Sequence, residues 1–193
     1  MKHWWRQPLL GVASFILIVG AFQLTRAGYS VDEQFTVFAV RGIQVEGLPL
    51  LPSKLLYDRG LAYSYASWVA GAVSNSELPA YRALSLLSAL ASVLLMLTIV
   101  RRLATHRAAR LAAALVAISL PFWATATTGR FYAPFLAAYL FGLFVLAKVH
   151  TEDATRTLLL GLVAAATVGR WLHELEFTIV GIPLLCAAFG PRS

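Results

Sequence analysis

The sequence predicts an all-α protein, a multi-pass transmembrane helical bundle of about six spans with juxtamembrane helices in its first outer loop. Three observations predict it. Of 193 residues, 59% are apolar and only 13% charged, with mean hydropathy +0.72, far from the balance of a soluble domain. Apolar runs of spanning or near-spanning length recur between short polar connectors. The formal charge of +7 collects on one side of those runs, the pattern of cytoplasmic loops, so nucleic acid is not among the expected partners.

The first run, residues 8–24, follows a basic, aromatic start with Lys2, Trp4, Trp5 and Arg6. It is longer than a signal-peptide core, and Arg26 spoils a small-residue cleavage site, so it reads as a retained helix. Ser30 and Glu33 then form an S-x-x-E capping box, which predicts a short amphipathic helix from Val31 with Gly42 as its C-terminal stop. Gly47, Pro49, Pro52 and Ser53 mark a loop leading to Tyr57-Asp58-Arg59-Gly60. Residues 61–73 carry no charge but are too few to span, which suits an interfacial or re-entrant helix.

Spans follow over 78–100, 111–129 with Pro121 as a kink, 131–147, 157–172 and 175–189. Arg82 lies near an outer span end, where snorkelling accounts for it. The lone cysteine, Cys186, sits in the last run and permits neither an intramolecular disulfide nor a Cys-based metal site. With the N-terminus cytoplasmic, the inner connectors net +7 while acids and bases cancel outside, as the positive-inside rule requires. The segment 29–65, Arg130 and His173 then share the outer side. The whole reads as one integral membrane domain over 1–193, with its first span within 8–25, an outer loop over 26–77 and the remaining spans over 78–193.

Chemistry is expected where polar groups meet the membrane rim. Asp32 and Glu33 open the juxtamembrane helix, and successive helical residues diverge by about 100°, so only one of them can face a given cleft. Glu33 has a capping task; Asp32 has none, which leaves it either a general base or metal ligand facing a cleft or a solvated acid on a surface helix. Asp58 and Arg59, framed by Tyr57, Tyr63 and Tyr65, suit either an aromatic belt with Asp58 capping a helix or a saccharide and phosphate site. Arg130, in a very short connection, is held close to the membrane surface, where an anionic headgroup would be its partner. His173-Glu174-x-Glu176 adds a histidine and two acids at another outer end.

In this order the residues resemble the N-terminal half of a GT-C fold glycosyltransferase, of the family that contains protein O-mannosyltransferases and lipid A aminoarabinose transferases. The resemblance rests on Asp32-Glu33 after the first span, Tyr57-Asp58-Arg59 before Tyr63-Ser64-Tyr65, Arg82 with Ser85 opening the next span, and Arg130 after the span containing Pro121. It implies transfer of a sugar from a polyprenyl-phosphate donor to an acceptor hydroxyl of a lipid, glycan or protein, on the extracytoplasmic face of the cell membrane, with inversion. Asp32 would be the general base, Arg59 and Arg130 would hold the leaving phosphate, and Asp58 would orient a substrate or help ligate a divalent metal where one is used. Glu33, Tyr57, Tyr63, Arg82 and His173 complete the implied substrate site. Family members are more than twice this length, which implies further spans or a partner chain. A non-catalytic scaffold or lipid-phosphate-binding subunit of the same fold is the alternative. A small transporter is disfavoured, because the charges sit near span ends rather than mid-span.

Overall fold

The computed structural model describes residues 6–25, 28, 30–151 and 156–173. Among them every regular element is a helix: α1 (Arg6–Leu24), α2 (Val31–Glu46), α3 (Leu61–Ser74), α4 (Leu78–Leu103), α5 (His106–Ala117), α6 (Leu120–Ala126), α7 (Tyr132–Thr151) and α8 (Arg156–Leu172). The predicted span 175–189 with Cys186 lies outside the described residues, as do Lys2, Arg26, Glu174 and Glu176.

α4 is the central post, touching α1, α3, α5, α6 and α7. Its Leu86, Ala89, Val93 and Leu97 pack with Ile16 of α1, the Ala109, Ala113 and Ala117 stripe of α5, and Ala126 and Ala133. The alanines let the helix backbones approach closely, so van der Waals packing holds these helices together. By length and composition α4 can cross a bilayer alone, and α5 with α6 can do so together; the apolar parts of α1, α7 and α8 are shorter.

Two sequence expectations change. Gly42 does not end α2, which continues to Glu46 and closes on Gly47 in the left-handed conformation, with φ 74°. Gly42 is instead the crossing point of the returning loop: a Cβ there would lie 2.5 Å from the backbone N and O of Leu50. That loop is pinned by an antiparallel bridge between Leu50 and Leu56 and by Tyr57 N–H donating to the Pro49 carbonyl at 2.8 Å, which brings Tyr57 back alongside α2.

The span containing Pro121 is broken rather than kinked: α5 and α6 meet at 66°. Proline lacks the amide that would continue the helix, so α6 restarts with Ser119 as its cap, accepting from Phe122 N–H. The Trp123 indole donates to the Ala117 carbonyl at 2.8 Å, satisfying a group the break leaves over.

Candidate active site

The site is built from the N-terminus of α2, the loop before α3, roughly the first two turns of α4 and the turn between α6 and α7. The predicted capping box is present: Ser30 Oγ accepts from Glu33 N–H at 3.2 Å, and Glu33 Oε2 accepts from Ser30 N–H at 2.8 Å. Glu33 is thereby turned inward and is only 2% exposed. There it meets Arg82, 3% exposed, whose Nε donates to Oε1 at 2.7 Å and whose Nη2 donates to Oε2 at 3.0 Å. Arg82 therefore does not snorkel; it forms a buried ion pair with an acid 49 residues earlier and also donates to the Gly28 carbonyl.

Gly129 N–H completes the cluster by donating to Glu33 Oε1 at 2.8 Å, so one carboxylate clamps α2, α4 and the α6–α7 turn. Burial alone would raise the Glu33 carboxyl. The Arg82 hydrogen bonds, the Ser30 and Gly129 amides and the Arg82 charge outweigh it and bring the carboxyl down to about 2.

Next along that turn, Arg130 is 5% exposed. Its Nη1 donates to the backbone carbonyl of Asp32 at 2.9 Å and to the Tyr57 hydroxyl at 2.7 Å. Four rings enclose the guanidinium, those of Phe35, Tyr57, Phe131 and Tyr132, with centroids 4.9–5.9 Å away. Phe35 and Tyr57 stack in parallel at 6.0 Å. Nε of Arg130 is buried without a hydrogen-bond partner among the described residues. From below, Ser85 Oγ donates to the Arg130 carbonyl at 2.9 Å and accepts its amide at 3.3 Å; the buried Tyr63 hydroxyl lies 2.9 Å from Ser85 and donates to the Tyr81 carbonyl.

Asp32, one step along α2 from Glu33, is exposed, as the angular offset predicts. Its backbone is fixed by Arg130 while its carboxylate faces outward. Asp58 and Arg59 are exposed too, directly after the buried Tyr57. Asp58 does not cap α3: the cap is Gly60, with φ 71° and no side-chain cap.

Gly60 also passes close to Phe131, where a Cβ would come within 2.5–2.9 Å of the side chain. Gly60→Ala is therefore expected to destabilise the fold by about 2–4 kcal/mol, combining left-handed strain with overpacking. Thermal unfolding of the purified protein in detergent would register this as a lowered midpoint; an unchanged midpoint would mean that the Phe131 ring moves aside freely.

Two cavities adjoin this network. A polar one of about 220 Å³ is lined by Asp58, Arg59, Leu61, Arg170, Trp171 and His173. The His173 ring also packs on Phe131 and Phe135, with centroids 5.4 and 5.3 Å away. An apolar groove of about 440 Å³ lies between α3, α4, α7 and α8, lined by residues such as Tyr63, Leu84, Ala138, Phe141, Ala165 and Leu172. Consecutive residues divide between the two spaces: Leu61 and Ala62 on α3, Trp171 and Leu172 on α8.

Of the expected site residues, the fold thus joins Asp32, Tyr57 and Arg130 through one guanidinium, and Asp58, Arg59 and His173 around one cavity. Glu33, Arg82 and Tyr63 lie beneath as buried supports. Arg170 and Trp171 were not expected in the site; the only sequence signal was the spacing of Arg170 and His173, three apart at a helix end. For a divalent metal, Asp58 and His173 line one cavity, yet no three His, Cys, Asp or Glu side chains gather among the described residues.

The family model described as dolichyl-phosphate-mannose-protein mannosyltransferase matches residues 58–191, more than half of the chain. Asp58, Arg59, Tyr63, Arg82, Arg130 and His173 fall inside the match, whereas Asp32, Glu33 and Tyr57 precede it. No curated protein and no solved structure matches the chain.

Proposed function

The chain belongs to the dolichyl-phosphate-mannose-protein mannosyltransferase family, membrane glycosyltransferases of the GT-C type, and from that premise we propose that it moves a sugar from a polyprenyl-phosphate donor to an acceptor hydroxyl. The observation that carries this reading is the adjacency of an apolar groove to a cavity lined by Arg59 and Arg170, together with the exposed Asp32, whose backbone carbonyl is held by Arg130. A polyprenyl-phosphate sugar needs those three environments in that order: hydrocarbon, anion site, acid–base group.

In the proposed reaction the donor's tail lies in the groove and its phosphate at the cationic rim. The acceptor oxygen attacks the anomeric carbon and its proton passes to the Asp32 carboxylate. The bond between the anomeric carbon and the phosphate oxygen breaks, and polyprenyl phosphate departs with the electron pair. Configuration at that carbon inverts. Arg59 and the positive field of Arg130 neutralise the charge growing on the phosphate, an effect strengthened by the low-dielectric surroundings. Arg130 also does positioning work, because it holds Asp32 and Tyr57 in one register. Glu33 and Arg82 support that register from beneath, while Asp58, Tyr57, Tyr63 and His173 form the walls for sugar, acceptor and tail.

The same reading sets six spans, a cytoplasmic N-terminus, an extracytoplasmic site, and a module completed by further spans or a partner chain. The test is transfer of a labelled sugar from a polyprenyl-phosphate donor by the purified protein in nanodiscs, with peptide, glycan and lipid hydroxyl acceptors. Label in an acceptor with release of polyprenyl phosphate is the expected result. Tight binding of polyprenyl phosphate without transfer would favour a lipid-phosphate-binding subunit instead, and absence of both would overturn the reading.

A further inference from the structure

We propose that Arg170 is the second half of a phosphate clamp begun by Arg59, so that the donor phosphate sits in the cavity between the start of α3 and the end of α8. This rests on the donor class proposed above and goes beyond it by naming where the anion is held and by which residues.

Three observations carry the assignment. Among the described residues that line it, the cavity has two guanidinium groups, Arg59 and Arg170, against one carboxylate, Asp58, a balance that favours an anion. Its volume of about 220 Å³ suits a phosphate and part of a sugar, not a lipid chain. It also lies immediately beside the apolar groove: Leu172 lines the groove while its neighbours Trp171 and His173 line the cavity, and Leu61 and Ala62 divide in the same way on the opposite wall. A polyprenyl chain in the groove therefore delivers its phosphate into this cavity. The start of α3 adds to the field, since Gly60 provides no side-chain cap and Leu61 borders the cavity.

The division of labour between the arginines follows. Arg130 is enclosed by four rings and its Nη1 is committed to Asp32 and Tyr57, which makes it the organiser of the base. Arg59 and Arg170, from separate elements, can approach one phosphate from two sides. Such a clamp tightens as charge develops on the leaving oxygen, so it acts on the chemical step as well as on binding. Trp171, half exposed beside it, offers a flat face for a sugar ring.

The test compares the full chain with Arg170→Ala, Arg170→Lys and Arg41→Ala in phosphatidylcholine nanodiscs. Binding of polyprenyl phosphate is measured beside polyprenol of the same length, inorganic phosphate and phosphatidylglycerol. The wild type should prefer polyprenyl phosphate over polyprenol, and Arg170→Ala should cut that preference roughly tenfold to a hundredfold, the effect of losing one charge-assisted contact. Polyprenol binding should stay unchanged, Arg170→Lys should recover part of the preference, and Arg41→Ala, whose exposed arginine pairs with Glu77 elsewhere, should match the wild type. In turnover assays Arg170→Ala should raise the donor KM and lower kcat together.

A preference kept intact in Arg170→Ala would overturn the clamp alone. Equal loss of polyprenol binding would reduce Arg170 to a support of the groove, and equal competition by phosphatidylglycerol or inorganic phosphate would make the cavity a general anion site; either result also overturns the proposal. A wild type without preference for polyprenyl phosphate would instead defeat the donor class itself.

Discussion

Asp32→Asn is expected to lower sugar transfer by about 10²–10⁴-fold while leaving the binding of polyprenyl phosphate unchanged. The substitution keeps shape and hydrogen-bonding reach but removes the ability to take a proton from the acceptor. Its structural side effects are small by construction. Arg130 contacts Asp32 through the backbone carbonyl, which asparagine retains, and the capping box uses Ser30 and Glu33, not Asp32. The exposed carboxylate contributes only about 0.3–1 kcal/mol through its favourable place in the first turn of α2. Loss of turnover with an intact fold and intact donor binding thus reports on the proton transfer. The measurement is kcat and donor KM in nanodiscs beside a thermal unfolding curve. Turnover within threefold of the wild type would remove Asp32 as the base.

How much of this site could be read from residues alone depended on whether a feature was local. The capping box fixed the start of α2 to the residue, and helical geometry then set Asp32 and Glu33 in different directions, one exposed and one buried, because both features need only four consecutive positions. The pairing of Glu33 with Arg82 was out of reach: an arginine near a span end has snorkelling as its ordinary meaning, and only the packing of α2 against the start of α4 and the Gly129 turn gives it a buried partner. Gly42 misled for a related reason. Its glycine is required by a loop crossing eight residues later, not by the end of its own helix. The cavity with Arg170 and Trp171 arises because α8 returns against α3, a tertiary contact with no signature in either segment. The family resemblance, by contrast, was legible from order and spacing, since Asp58, Arg59, Arg82 and Arg130 keep their sequence wherever the helices pack.

The ion pair beneath the site leads to the other large effect. Arg82→Ala is expected to destabilise the protein by about 3–5 kcal/mol, because it leaves the Glu33 carboxylate buried and uncompensated. Glu33→Gln should cost less than that, since a neutral amide keeps some of the hydrogen bonds, yet it removes the negative charge that the buried Arg82 guanidinium faces.

Acid provides an independent reading of the same pair. The Glu33 carboxyl lies near 2 in the folded protein against an ordinary 4.5, so the folded state binds this proton less readily than the unfolded chain. Its contribution is fully present above pH 4.5 and is lost as pH falls toward 2, a span worth roughly 3 kcal/mol. Unfolding in detergent followed from pH 6 to pH 2 should show that loss in the wild type and not in Glu33→Gln. A double-mutant cycle with Arg82→Met should return a coupling well above the 0.5 kcal/mol expected of independent sites. Because Gly129 and hence Arg130 hang on the Glu33 carboxylate, Glu33→Gln should also lower kcat even at neutral pH, where the fold survives. A Glu33→Gln protein with wild-type kcat and an unaltered acid profile would show that the α6–α7 turn finds its position without this carboxylate, and the support assigned to the pair would have to be given to Ser85 and Tyr63 instead.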